Sequence, residues 1–575
     1  MEVSPRSTLQ RWSEQLKNRE DQLTIVLSLV IGVLVGLTVV AFILLTGRMA
    51  AQMYPAGGSA WRRVVIPIIG ALIGGFLIFR FFPDARGSGI PQTKFALFIN
   101  DGYISLKTVL GKFLCCSVSL ASGIALGREG PSVQIGGGIA SVLGRRFGLS
   151  KENVKALVPV GCSAALAAAF NTPIAAVLFS LEEILGDLHA PVLGTVVISS
   201  ATSWIVLHLL LGDEPLFHVP AYKLVHPIEF GIYAVLGVVG GLGSVAFVKL
   251  LLKLRKLFMR LPKTTQWMQP VAGGILVGLL GWFMPEVLGV GYDYVEQVLG
   301  GDFPLKRVAA LAALKIVATA TCYSSGNAGG IFGPALFIGA MMGGTVGSLA
   351  HWLLPQYTAG PGAYALIGMG TAFAGIIRTP LTSVIMIFEL TRDYSIIVPL
   401  MISNLISFFI SYRLQREPIY EALALQEGVY LPTGESRHEL EEIRVGDVMQ
   451  SKATPLPADM DVTAARARLQ EMGRNVALVG ELNWLYGIVN ARELEEVKNP
   501  AETKLSQVVK DDGEFPYVHP DHPLSLALER MGPAGADALP VVSRANRRRV
   551  QGVITMNDIL AAYGVKQGEA ASKRT

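Results

Sequence analysis

Charge is what this sequence has least of. Asp, Glu, Lys and Arg make up only 16% of the 575 residues, where a soluble globular chain carries about 25%. Hydrophobic residues reach 51%, and mean hydropathy is +0.46, both on the apolar side of a soluble chain. The shortage is uneven: charged residues fall at about one position in eight before Glu441 and about one in four after it. A membrane part followed by a soluble tail accounts for that step. Net charge is only +5, too mild to predict a nucleic-acid partner. The basic run Arg547, Arg548 and Arg549 reads as a solvated turn. Cysteine is scarce too. Cys115, Cys116, Cys162 and Cys322 sit in apolar stretches with no CxxC spacing. That leaves a disulfide framework and a metal site without support, and buried inert thiols are expected. The sequence also lacks a nucleophile–base arrangement and a phosphate-cradling loop, so we expect neither an enzyme nor a required cofactor or metal.

What is present is apolar length. Residues 1–21 are polar with mixed charge; we expect no cleavable signal there, and a short interfacial helix around Trp12. Residues 22–47 carry no charge, enough to span roughly 30 Å of hydrocarbon. Further apolar stretches run near 64–82, 109–126, 154–185, 192–211, 230–252, 271–283, 308–322, 331–354, 364–377 and 396–411. Several are broken by Gly and Pro, and glycine numbers 62. Scattered glycines suit close helix packing. Repeated Gly-x-x-Gly-Pro clusters do not need it, and broken spans are tolerated only where freed backbone faces protein or an aqueous cavity. The breaks therefore point to an ion or solute pathway.

An internal repeat points the same way. Gly161-Cys-Ser-Ala-Ala-Leu-Ala-Ala-Ala-Phe-Asn-Thr-Pro173 resembles Gly368-Met-Gly-Thr-Ala-Phe-Ala-Gly-Ile-Ile-Arg-Thr-Pro380, and the register continues to Glu182 and Glu389. Upstream, Gly127-Arg-Glu-Gly-Pro131 falls against Gly330-Ile-Phe-Gly-Pro334. Two homologous halves of broken helices, inverted or not, are a common transporter plan with the site near the midplane. The expected fold is therefore an all-α polytopic membrane domain over 22–421. A linker follows at 422–444, then two small α/β units at 445–500 and 501–565 and a polar end at 566–575. In the first unit, strand-like 476–479 and 485–489 precede helix-like 491–497. In the second, 538–542, 550–554 and 557–562 repeat the order.

Three short segments share one physical logic: Gly87-Ser-Gly-Ile-Pro91, Gly127-Arg-Glu-Gly-Pro131 and Gly330-Ile-Phe-Gly-Pro334. Each sets glycines before a proline that opens an apolar run. Proline suits the first helical position, and glycine lets the backbone turn with bare N–H groups exposed. Helix N-termini offer about half a positive charge and unpaired donors. Several such ends, at Gly87, Gly89, Arg128, Gly130, Gly330 and Gly333, would hold a small anion yet let it leave. Glu129 places an ionisable group inside this apolar region, which marks function by default. Its carboxylate is itself an anion and can compete for the site until a proton neutralises it; a structural ion pair with Arg128 is the other reading. Glu183 ends the apolar run 176–181, so it marks either the cytoplasmic interface or a functional acid. Glu182 reads as an interface charge.

These segments, with Asn171-Thr-Pro173 and Glu182-Glu183, resemble the CLC chloride channel and transporter family over about 22–420, and the tail resembles paired CBS domains. The resemblance implies a homodimer in the lipid bilayer of a plasma or inner membrane, with one anion pathway per subunit and a cytoplasmic tail. It implies that Ser88 and Tyr420 donate hydroxyls to a central chloride and that the N–H groups of Ile331 and Phe332 complete the site. Glu129 would be the gating glutamate and Glu183 the internal proton acceptor. Gln92 departs from the Glu many members carry. Secondary active exchange of chloride for protons is the expected function. A passive chloride channel of the same fold is the alternative, and Glu183 separates the two. A fluoride exchanger is disfavoured because Ser88 stands where those members carry Met. A CBS-linked divalent-cation transporter or a nucleotide-sensing protein would need pore acids or a dominant soluble module, and the sequence shows neither. In the tail, Gly552-Val-Ile-Thr-Met-Asn-Asp558 resembles the CBS signature in which Thr555 and Asp558 bind a nucleotide ribose. Gly487, Asn490 and Glu493 match it in part. Regulatory ATP, ADP or AMP binding and a purely dimer-supporting tail are the two readings.

Overall fold

A computed structural model describes residues 8–427 and 443–562, apart from 189, 214, 220–223, 302, 452, 473, 482–483, 496, 498, 510–514 and 535. It divides into two units, Met1–Leu431 and Pro432–Thr575. The first is an eight-helix order used twice. One set is α1 (Thr8–Met53), α2 (Arg62–Arg80), α3 (Ile90–Phe98), α4 (Leu106–Ala121), α5 (Glu129–Arg146), α6 (Lys151–Phe170), α7 (Pro173–Phe179) and α8 (Leu193–Leu211). The other is α9 (Glu229–Met259), α10 (Gln269–Phe283), α11 (Tyr292–Leu299), α12 (Leu305–Ser324), α13 (Phe332–Leu353), α14 (Pro361–Ile376), α15 (Pro380–Thr391) and α16 (Ile397–Leu414). A short α17 (Ile419–Gln426) closes the unit.

Counterparts meet across the middle: α2 packs on α10, α5 on α13 and α7 on α15. Gly127 and Gly330 exchange both backbone hydrogen bonds at 2.7 Å, as an antiparallel bridge. Equivalent residues can pair with each other in this way only about a local two-fold axis, so the halves run in opposed directions where they join. Among the described residues, seven helices are long and apolar enough to cross a membrane. The glycines also serve packing. A Cβ at Gly136 would strike the Gly161 carbonyl, and one at Gly161 the Gly136 carbonyl; Gly339 and Gly368 repeat the relation in the second half. Small residues therefore bring α5 against α6, and α13 against α14, at backbone distance.

Several expectations need correction. Residues 8–21 are not a separate interfacial helix but the first turns of α1; no Gly or Pro lies between Thr8 and Gly32 to break it. The stretch 154–185 is α6, α7 and a π-helix at Ser180–Leu185, parted by left-handed Asn171 and by Pro173. The short α3 and α11 had no span of their own, being too brief to give an apolar window, and α15 falls between the stretches 364–377 and 396–411. Residues 422–426 are helical within α17, so they belong to the first unit and not to a linker. Residues 428–442 and 566–575 lie outside the described residues. The four cysteines are buried and free.

The tail, taken by itself, holds two hairpins. Strand β1 (Val476–Glu481) pairs antiparallel with β2 (Trp484–Asn490), and β3 (Ala538–Val542) with β4 (Val550–Thr555). A helix follows each pair, Ala491–Glu495 and Met556–Ala562. Every residue of β3 is buried, which the unbroken apolar run 538–542 anticipates.

Candidate functional site

The three Gly-rich segments all start helices, and those starts converge. The first intrahelical bonds are Thr93 N–H to Gly89 O in α3 (2.9 Å), Ser132 N–H to Arg128 O in α5 (3.0 Å) and Ala335 N–H to Ile331 O in α13 (3.0 Å). The N–H groups just ahead of these bonds, including those of Ile331 and Phe332, have no acceptor within their own helix. Helices α5 and α13 begin at Glu129 and Phe332, two residues before the proline expected to open them. The first-turn N–H groups are unbonded within the helix, so proline fits anywhere in that turn. A Cβ on Gly130 would lie 2.6 Å from Ser88 Oγ and 3.3 Å from Gly330 Cα. That closeness brings one segment from each of three helix starts to a single place, and only glycine permits it.

Neighbouring groups hold the Ser88 loop. Gly87 and Gly89 take φ of 81° and 105°, open to glycine at little cost. The buried Lys112 ammonium donates to Ala85 O (3.0 Å) and Gly87 O (2.8 Å). Gln92 Oε1 accepts the Gly89 N–H at 2.9 Å, so the residue that departs from the family pattern caps the helix that follows Ser88. Lys315 repeats the Lys112 arrangement in the second half, donating to Val287 O (2.9 Å) and Gly289 O (2.6 Å).

The Ser88 and Tyr420 hydroxyls are fully buried and close to each other, and apart from each other neither has a hydrogen-bond partner within the protein. Leaving a buried polar group unmatched costs about 1–3 kcal/mol, so two adjacent orphan donors fit a small acceptor between them. Glu129 is buried completely. Its Oε2 accepts the Gly333 N–H at 3.2 Å, and the Tyr292 hydroxyl donates to Oε1. The carboxylate thus reaches from the start of α5 to the start of α13. Arg128 Nε stands 3.9 Å from Oε1 without a hydrogen bond and lies over the Tyr292 ring at 5.6 Å. Arg128 is the residue before the helix, not within it. Its charge is near Glu129 but does not tether it.

Glu183 sits apart, in the π-helix at Ser180–Leu185, a form frequent at functional sites. It is buried and accepts from Lys94 Nζ at 2.8 Å, and the same ammonium donates to Glu421 Oε1. A plain interface charge would not be buried and paired in this way. Glu182 is likewise no free interface charge: Oε2 accepts the Thr382 N–H (2.8 Å) and hydroxyl (2.6 Å). Sequence reasoning missed Tyr292, Lys94, Lys112 and Glu421. Lys112, a charge inside the apolar stretch 109–126, was the one available signal.

In the tail, Asp558 Oδ2 accepts the Thr555 N–H (2.9 Å) and hydroxyl (2.6 Å), and Gln450 Nε2 donates to both carboxylate oxygens at 2.9 and 3.1 Å. The two residues expected to meet a ribose are therefore adjacent but bonded within the protein. In the first unit, Glu493 Oε2 accepts the Asn490 N–H at 2.8 Å.

A voltage gated chloride channel family model matches residues 69–412, and a CBS domain model matches residues 507–564. The H(+)/Cl(-) exchange transporter ClcA of Vibrio campbellii is 32% identical over 362 residues, covering 61% of this chain and 77% of its own length. ClcA of Vibrio parahaemolyticus is 32% identical over 366 residues, covering 63% and 78%. The crystal structure of a slow cyanobacterial Cl-/H+ antiporter aligns with a TM-score of 0.65 at 27% identity, over 70% of this chain and 97% of that one. A eukaryotic CLC transporter aligns with a TM-score of 0.67 at 20% identity, over 94% of this chain and 98% of that one, a likeness of fold that extends into the tail.

Proposed function

Because this chain belongs to the voltage gated chloride channel family and carries a CBS domain in its tail, we propose that it exchanges chloride for protons across a membrane, with Glu129 as the gate. One observation carries the reading: the Glu129 carboxylate takes the Gly333 N–H at the start of α13. A carboxylate on a helix-end donor stands where a halide would stand. Protonating it removes its charge, weakens its hold on that donor and frees the place for chloride. The same group therefore carries a proton in one state and yields to an anion in the other. The Ser88 and Tyr420 hydroxyls and the N–H groups of Ile331 and Phe332 form the central chloride site. All are neutral donors, so binding is firm enough to select an anion and loose enough to release it. Glu183 takes the proton on the other side.

The relatives named as H(+)/Cl(-) exchange transporters and the cyanobacterial antiporter support exchange over a passive channel. The burial of Glu183 beside Lys94 supports it independently. In vesicles of equal pH, a chloride gradient alone should drive protons uphill in the opposite direction; a passive channel would move none. We further propose a homodimer with one pathway per subunit, in a plasma or inner membrane with the tail in the cytoplasm. Cross-linking in membranes and protease accessibility of the tail test these two points. Adenine-nucleotide binding at Thr555 and Asp558 requires Gln450 to give way. Calorimetric titration of the full chain with ATP, ADP and AMP decides between a sensing tail and a dimer-supporting one, and no heat at millimolar nucleotide leaves the second.

A further inference from the structure

The least economical feature of the membrane unit is the group around Lys94. One ammonium on α3 meets two carboxylates, Glu183 of the π-helix and Glu421 of α17. All three side chains are 5–7% exposed. Among the described residues no second cation lies within ion-pair distance of either acid. The other ionisable groups acting on Glu183 and on neighbouring Tyr420 are Glu182, Tyr323 and Glu129, none of them cationic. With both carboxyls ionised the cluster carries a net negative charge out of water. An uncompensated buried charge is strongly destabilising, and a buried acid escapes that cost by taking up a proton. Like carboxylates that share one site do not both ionise readily.

The geometry also leaves one carboxylate oxygen of the cluster open. Lys94 occupies Oε1 of each glutamate. Glu421 Oε2 is buried and has no hydrogen-bond partner. A bare buried carboxylate oxygen is costly to leave without a partner, so Glu421 Oε2 is open to a proton. Glu421 also adjoins Tyr420, whose hydroxyl is at the central anion site. The chain therefore places this acid one residue from chloride and one lysine from Glu183.

We propose that Glu421 is a second proton-carrying carboxyl, joined to Glu183 through Lys94, so that the inner end of the proton route is a two-carboxyl relay. The inference rests on the exchange reading above. The pair holds one acidic proton. Transfer breaks an O–H bond on one glutamic acid and forms one on the other, and Lys94 keeps its three protons throughout. Lys94 is a positioning residue: it stabilises whichever carboxylate is ionised and keeps the two within reach of one proton. Because two coupled acids share the load, the apparent titration belongs to the pair and not to either residue.

The test uses the full-length protein in vesicles, reading proton and chloride flux together across internal pH. Glu421→Gln should lower the proton-to-chloride ratio by roughly tenfold or more, and Glu421→Asp should restore part of it. Lys94→Gln should shift the internal-pH profile of proton flux, which a merely structural lysine would not do. The ratio is taken on vesicles that pass chloride, so a lower yield of folded protein does not alter it. A wild-type ratio and pH profile in Glu421→Gln overturn the relay, and so does complete loss of chloride flux in that variant, which would make Glu421 structural. If the wild-type chain itself moves no protons, the exchange reading fails first, and the two failures are distinguished.

Discussion

Glu182 and Glu389 cap each other's halves. Glu182, at the end of the first half's broken helix, accepts the N–H groups of Leu381 (3.3 Å) and Thr382 (2.8 Å) at the start of α15. Glu389, at the end of α15, accepts those of Ile174 (3.0 Å) and Ala175 (2.6 Å) at the start of α7. A helix start left bare costs stability, and an acid there also meets the positive end of the helix dipole. Glu182→Ala and Glu389→Ala should each cost about 1–2 kcal/mol. The two losses should be similar, because the local two-fold makes the sites equivalent. Thermal unfolding in detergent measures both; a large loss at one and none at the other contradicts the reciprocal arrangement.

Glu129→Gln keeps the side-chain shape and removes the charge permanently. The variant should still pass chloride but no longer carry protons. Its amide cannot compete as an anion for the Gly333 N–H, so chloride occupancy should no longer fall as pH rises. Paired flux recordings with a pH electrode and a chloride electrode check both statements, and proton uptake at the wild-type level removes Glu129 from the mechanism.

Glu183→Gln leaves Lys94 with Glu421 as its ionic partner. Proton movement should stop or fall steeply while equilibrium chloride binding stays as in wild type, since the hydroxyls of Ser88 and Tyr420 are untouched. Isothermal titration with chloride decides it: a collapsed affinity would make Glu183 a structural support of the anion site.

Ser88→Ala and Tyr420→Phe each remove one orphan hydroxyl. If both donate to one chloride, each should weaken binding by about 1 kcal/mol or somewhat more, a factor of roughly five to ten. The double variant should not simply add, because groups that share a ligand couple. Strict additivity in the double-mutant cycle would place the two hydroxyls on separate ions.

The membrane division, the two halves, the three helix starts and the hairpins of the tail were all legible, because each rests on local pattern: apolar length, Gly and Pro position, alternation. The reciprocal roles of Glu182 and Glu389 were half legible, since the repeat aligned them but gave no partner. Tyr292, Lys94 and Glu421 were not. Tyr292 meets Glu129 across 163 positions, and Glu421 meets Lys94 across 327. Each lies in a short helix whose local pattern is unremarkable, so only the closed fold brings the charges together. The continuous α1 was missed for the opposite reason: a polar start suggested a boundary where nothing breaks the backbone.

The central claim is coupled exchange, and the reversal potential of the reconstituted full-length chain tests it most directly. Vesicles would carry a chloride gradient and a proton gradient together, and the voltage at zero current would be read. The account predicts a potential displaced from the chloride equilibrium value toward the proton gradient, with the displacement abolished in Glu129→Gln. A wild-type potential that stays at the chloride equilibrium value whatever the pH difference would contradict it and make the chain a passive chloride channel.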